Sequence, residues 1–157
     1  MSVDVDMQQI SEADSIPSPE EFSRWADAAL TLPRQHAEMV VRVVDEDESA
    51  ALNQTYRGKS GPTNVLSFPF EVPEGVEMEN DLLGDLVICA PVVEQQASEQ
   101  GKPVQAHWAH MVVHGTLHLQ GFDHLTDEQA VVMESLEKKI LTGMGFQAPY
   151  ESEAESS

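Results

Sequence analysis

The sequence predicts an α+β fold: one domain with a mixed sheet of about four strands packed against helices. Three observations point that way. EMVVRVVD is rich in β-branched residues, TNVLSFPF and LLGDLVICA read as further strands, and an alternating run, VDVDMQQI, lies near the start. Five other stretches carry apolar residues at helical spacing or clear start and stop signals. Strands and helices follow one another in mixed order, without strict alternation. The 157 residues, 41% of them hydrophobic, suit a single core.

Taken along the chain, VDVDMQQI is expected to be an edge strand because one face is acidic. SPEEFSRWADAALTL opens on a Ser-Pro-Glu-Glu start signal, and Phe22, Trp25, Ala29 and Leu32 recur with a helical period. Glu38 to Asp45 should be a central strand. DESAALNQTYR reads as a helix capped by Asp47, with Ala50, Ala51, Leu52 and Tyr56 free to pack. A Gly- and Pro-punctuated loop, Gly58 to Pro62, leads into a short strand in TNVLSFPF. FEVPEGVEMEND is acidic and turn-rich and is expected to be mobile, and LLGDLVICA supplies another strand. Pro91 starts the helix PVVEQQASEQ, which Gly101 stops. Pro103 starts a longer one, VQAHWAHMVVHGTLHLQ, ending at Gly121. Thr126, with Gln129 three residues on, caps a last helix through TDEQAVVMESLEKKILTG. No repeat or linker divides the chain, so one domain is expected over residues 1–150, with 151–157 a frayed acidic tail.

Composition narrows the function. The formal net charge is −20, with only eight Lys and Arg, so any contact with nucleic acid must be local. Arg57 and Lys59 fall together in the loop YRGKSGPTN. A single cysteine, Cys89, excludes an internal disulfide, and its place in LVIC suggests a buried, inert thiol. MSVDVDMQQI lacks the basic and apolar regions of a signal peptide. LLGDLVICAPVV is broken by Asp85 and too short to span a bilayer, so a cytoplasmic protein without membrane attachment is expected.

The chemistry concentrates in HGTLHLQGFDH, from His114 to His124. Its spacing, H-x-x-x-H-x-x-G-x-x-H, is the metal cassette of a large class of zinc metalloproteases, so the long helix is expected to be zincin-like. Four histidines on that helix, His107, His110, His114 and His118, fall within an arc of roughly 80°. His114 and His118 lie one turn apart and can reach one ion; Gly121 lets the chain double back so that His124 supplies a third ligand. Three imidazoles leave a fourth tetrahedral position open, as in a catalytic zinc site. Asp123 is placed to orient a ligand, and His107 and His110 are open to packing, ligand-supporting or substrate roles. His36 reads as ordinary filler.

The cassette departs from the proteases at one position. Gly115 stands where they carry the glutamate that serves as base and proton shuttle, which disfavours a peptidase. Glycine there is expected to leave open space beside the metal. Zinc on three histidines lowers the pKa of its water to about 7 without that glutamate. Phosphodiester cleavage demands instead that extra negative charge be neutralised, a task suited to a guanidinium. Arg57, beside Gly58, is the candidate catalytic residue, although an ordinary arginine ending a helix fits its position as well. It stays protonated and so cannot be the base.

HMVVHGTLHLQGFDH, NQTYRGKSGPTNVLSFPF and LLGDLVIC together closely resemble the bacterial YbeY endoribonucleases, also described as rRNA maturation factors. The resemblance covers nearly the whole chain and is weakest over the first twenty residues. One departure is Ser60, where the family often has aspartate. The resemblance implies one Zn2+ held by His114, His118 and His124 and a functional arginine at Arg57. It also implies cleavage of single-stranded RNA, 3′-end maturation of the small-subunit rRNA precursor, and ribosome quality control, with no role on DNA. Ribosomal proteins or an assembly GTPase would deliver RNA to so acidic an enzyme. The competing expectation is a non-catalytic ribosome-assembly factor in which zinc only fixes the C-terminal half.

Overall fold

The computed structural model describes residues 2–31, 36–70, 82–123 and 125–146. The acidic stretch 71–81, the proposed boundary at 150 and the tail 151–157 lie outside the described residues. Four strands and five helices are described: β1 (Ser2–Gln9), α1 (Pro19–Ala29), β2 (His36–Val44), α2 (Glu46–Arg57), β3 (Val65–Pro69), β4 (Leu82–Cys89), α3 (Ala90–Gln100), α4 (Val104–Leu119) and α5 (Asp127–Gly143). The strands form one mixed sheet in the order β1-β2-β4-β3, parallel except where β3 runs antiparallel to β4. The fold is therefore α+β, as expected, with β2 central and the acidic β1 at an edge.

Alternation along the strands sorts their side chains onto two faces. Met39, Val41 and Val43 of β2 and Leu86 and Ile88 of β4 join the main core with Phe22, Trp25, Trp108, Val112 and Leu117 from α1 and α4. Phe22 meets Trp25 and Trp108 edge-on, with centroids 6.1 and 6.0 Å apart. The other face holds a smaller cluster, Val44, Leu66, Val87 and Cys89, against Leu52 and Val92. Burial pushes the Cys89 thiol pKa up, in keeping with an inert thiol.

Side-chain caps start two of the five described helices. Ser18 and Thr126 both close capping boxes, with Glu21 and Gln129 respectively. The cap expected at Asp47 is displaced: Asp45 occupies the N-cap of α2, and Asp47 lies in the first turn. The helix begins directly where β2 ends, which leaves no residues to spare before the turn. Asp45 makes no side-chain cap bond and accepts a hydrogen bond from Ser11 Oγ at 2.6 Å instead. At Gly84 in β4, φ is +141°, and a Cβ there would lie 2.3 Å from the Phe68 carbonyl oxygen on β3.

Candidate metal centre

Helix α4 presents different chemistry on its two sides. Trp108, Val112 and Leu117 enter the core, while the four histidines run in file along one face, with successive ring centroids 6.0, 6.2 and 4.6 Å apart. At the end of that file, Nε2 of His114 and Nε2 of His118 lie 3.1 Å apart. The i, i+4 spacing thus brings two of the expected ligands together. The third, His124, lies outside the described residues.

The turn after α4 is fastened to α1. Gln120 Oε1 accepts from Thr31 N at 2.7 Å and Thr31 Oγ1 at 3.0 Å, and its amide donates to the Ala29 carbonyl at 2.7 Å. Gly121 follows at φ +99°, in the left-handed region where a β-carbon would be strained. The expected helix stop is present.

Gly115 corrects the expectation of open space beside the metal. It faces the sheet, and a Cβ built there would lie 2.6 Å from Leu86 Cδ2. The missing side chain makes room for β4. Packing is thus sufficient reason for the glycine.

One residue of the centre went unnoticed in the sequence. Glu137, from α5, is fully buried, and its Oε1 lies 2.5 Å from His114 Nδ1 and 3.5 Å from His110 Nε2. Burial alone would raise its pKa, but hydrogen bonds from His110 and His114 outweigh this and hold it down at about 2. A signal was available: Met133, Glu137 and Leu141 form a stripe at i, i+4, i+8 on α5, all buried. A carboxylate in such a stripe needs partners.

His110, His114 and Glu137 together bring ligand atoms within 4.8 Å of one another, close enough to hold a metal ion. His114 thus offers a cation two positions, one at each ring nitrogen. Zinc–nitrogen bonds of about 2.0–2.1 Å at tetrahedral angles place two ligand atoms roughly 3.3 Å apart. The His114–His118 Nε2 pair, at 3.1 Å, fits that span. The His114 Nδ1–Glu137 pair, at 2.5 Å, is too close for two ligands of one tetrahedral ion and has the separation of a short charge-assisted hydrogen bond.

His107 serves a different network. Its Nε2 lies 2.8 Å from Gln96 Oε1, which also accepts from Asn64 Nδ2 at 3.0 Å, and Asn64 Oδ1 accepts from Val65 N at 2.7 Å. The histidine file is tied in this way to the start of β3. Burial, helped by Lys102 and His110, lowers the His107 pKa to about 3. The unfolded chain takes up this proton near pH 6.5, whereas the folded state refuses it until about pH 3. Stability must therefore fall as pH falls through that window, by up to about 1.4 kcal/mol per unit. Urea titrations of the metal-free protein between pH 6.5 and 4.5 should show this slope, and His107→Gln should flatten it by one proton. Equal slopes in the two proteins would contradict the assignment.

Arg57 occupies the last turn of α2 and is exposed, and Gly58 closes the helix at φ +66°. The following loop is bound back to α2: Asn53 Nδ2 donates to the Gly61 carbonyl at 2.9 Å, and Ser49 Oγ bonds both N and O of Thr63. Exposed Lys59 shares that loop, which leads into β3, and α4 packs against both β3 and β4.

Comparison with known proteins is consistent across most of the chain. The family model described as endoribonuclease YbeY matches residues 6–145. A Methylococcus capsulatus (strain Bath) protein named endoribonuclease YbeY is 63% identical over 148 residues, covering 94% of this chain and 95% of its own. The solution structure of TM1509 from Thermotoga maritima superposes with a TM-score of 0.53 over 95% of each chain; at 24% identity that likeness concerns the fold.

Proposed function

Since the chain belongs to the endoribonuclease YbeY family, we propose that it is a metal-dependent endoribonuclease cleaving single-stranded RNA. In this reading it matures the 3′ end of small-subunit rRNA and serves ribosome quality control in the cytoplasm, working with ribosomal proteins or an assembly GTPase. Among the described residues no helix is long and apolar enough to cross a membrane. The active unit is the domain over residues 1–150.

The carrying observation is the approach of His114 Nε2 to His118 Nε2 at 3.1 Å, close to the roughly 3.3 Å that separates two ligand atoms of one zinc ion. These two nitrogens and His124 would hold the ion. A zinc ion there would supply a Lewis acid for the phosphodiester and acidify a water, chemistry that does not need a glutamate at position 115. Arg57 would grip the phosphate and offset the charge that grows on its oxygens. The loop anchored by Ser49 and Asn53 supports that role by limiting where the strand after Arg57 can move.

The test is cleavage of single-stranded RNA by the purified protein, with and without chelator. Chelation and His114→Ala should each abolish cleavage. Arg57→Ala should retain zinc while cleaving about 10²–10³-fold more slowly, as when one charge-stabilising donor is removed. Activity that survives both metal removal and His114→Ala would end the reading, and loss of zinc in Arg57→Ala would make that residue structural. The net charge of −20 favours a second reading, a non-catalytic assembly factor. Rescue of ribosome maturation in a deletion strain by a zinc-loaded but cleavage-dead variant would support it.

A further inference from the structure

We infer that Glu137 is a positioning residue: its carboxylate holds the His114 imidazole in the tautomer protonated on Nδ1, so that the Nε2 lone pair faces His118. The inference rests on the proposed reading in one respect, that His114 binds metal through Nε2.

Glu137 is buried on α5, and a buried carboxylate must accept hydrogen bonds. Its Oε1 lies 2.5 Å from His114 Nδ1 and 3.5 Å from His110 Nε2, so α4 supplies two of its contacts. A neutral imidazole that donates from Nδ1 carries its lone pair on Nε2. That nitrogen lies 3.1 Å from His118 Nε2. A flipped ring, or the other tautomer, would turn a carbon or a proton towards His118.

His110 makes the arrangement stiffer than a single hydrogen bond could. His110 Nε2, one turn earlier on α4, lies 3.5 Å from the same oxygen and gives the carboxylate a second contact on that helix. The Thr126–Gln129 capping box fixes the start of α5, and Met133 and Leu141 bury the turns on either side of Glu137. The carboxylate is also expected to make Nε2 more electron-rich, as a hydrogen-bonded acidic partner does for a ligand histidine.

The full-length protein, 15N-labelled at histidine and stripped of metal, should show His114 protonated on Nδ1 by long-range 15N–1H correlation at pH 7. On addition of zinc, the Nδ1–H signal should persist while the Nε2 resonance shifts. Glu137→Gln preserves volume; its zinc affinity, measured by competition with a chromophoric chelator, should fall about 10–100-fold, and its His114 should populate both tautomers. Circular dichroism of the metal-free variant checks that it is folded.

An unchanged affinity and tautomer in folded Glu137→Gln would overturn the inference. So would an Nε2-protonated His114 in the unsubstituted protein, a measurement that holds even if the variant does not fold. Loss of the Nδ1–H signal on zinc binding would mean that the metal takes His114 Nδ1 instead, and would also overturn it. His114→Ala separates the levels: retained zinc binding there refutes the metal reading itself, whereas zinc loss there with unchanged Glu137→Gln refutes only the positioning role.

Discussion

Gly115→Glu, which restores the residue a zinc peptidase carries at this position, is expected to destabilise the protein severely and yield no peptidase. The first added carbon would already sit 2.6, 3.0 and 3.3 Å from Cδ2, Cδ1 and Cγ of Leu86. Leu86 is fully buried within β4, so it has little room to retreat. Overpacking of this kind costs about 1–3 kcal/mol, and burying a carboxylate without partners adds several more. Replacing a helical glycine recovers only about 1 kcal/mol of propensity. Gly115→Ala, carrying the clash without the charge, should lie between the two. Urea unfolding monitored by circular dichroism provides the check; a Gly115→Glu protein within 1 kcal/mol of the parent would show that the site has slack the packing does not reveal.

Gly84→Ala is expected to be comparably damaging for a different reason. A methyl at position 84 would meet the Phe68 carbonyl oxygen at 2.3 Å and the Pro69 Cα at 2.9 Å, both in the backbone of the neighbouring strand. The φ of +141° adds conformational strain that only glycine escapes. No rotamer change relieves a collision with backbone, so β3 and β4 must part at this register. Strain and overpacking together should remove about 3 kcal/mol or more. Since β3 continues the Arg57 loop, RNA cleavage should fall along with stability. Hydrogen exchange at Leu66 and Phe68, whose amides face β4, would report the separation, and unchanged protection there would contradict it.

Much of this could be read from residue order because the relevant signals are local. Periodicity, β-branched runs and start and stop signals placed the described helices and strands, and the i, i+4 spacing of His114 and His118 was enough to put both rings on one face. The helix start at Asp45 was less legible: Asp45, Glu46, Asp47 and Glu48 form an acidic run, and only the exit of β2 selects among them. The neighbour relation of β2 and β4, with β3 outside them, is decided by three-dimensional packing and leaves no local mark. Glu137 lay hidden because its partners are 23 and 27 residues away on another helix. Gly115 misled in the opposite sense. A missing side chain reveals nothing about what fills its place, and here the filler is Leu86.

The placement of Glu137 on the final described helix has a consequence for biosynthesis. As the polypeptide leaves the ribosome, all four strands and the histidine-bearing helix emerge before α5 does. If the carboxylate sets the imidazole, a growing chain has no fully competent centre until α5 has also emerged.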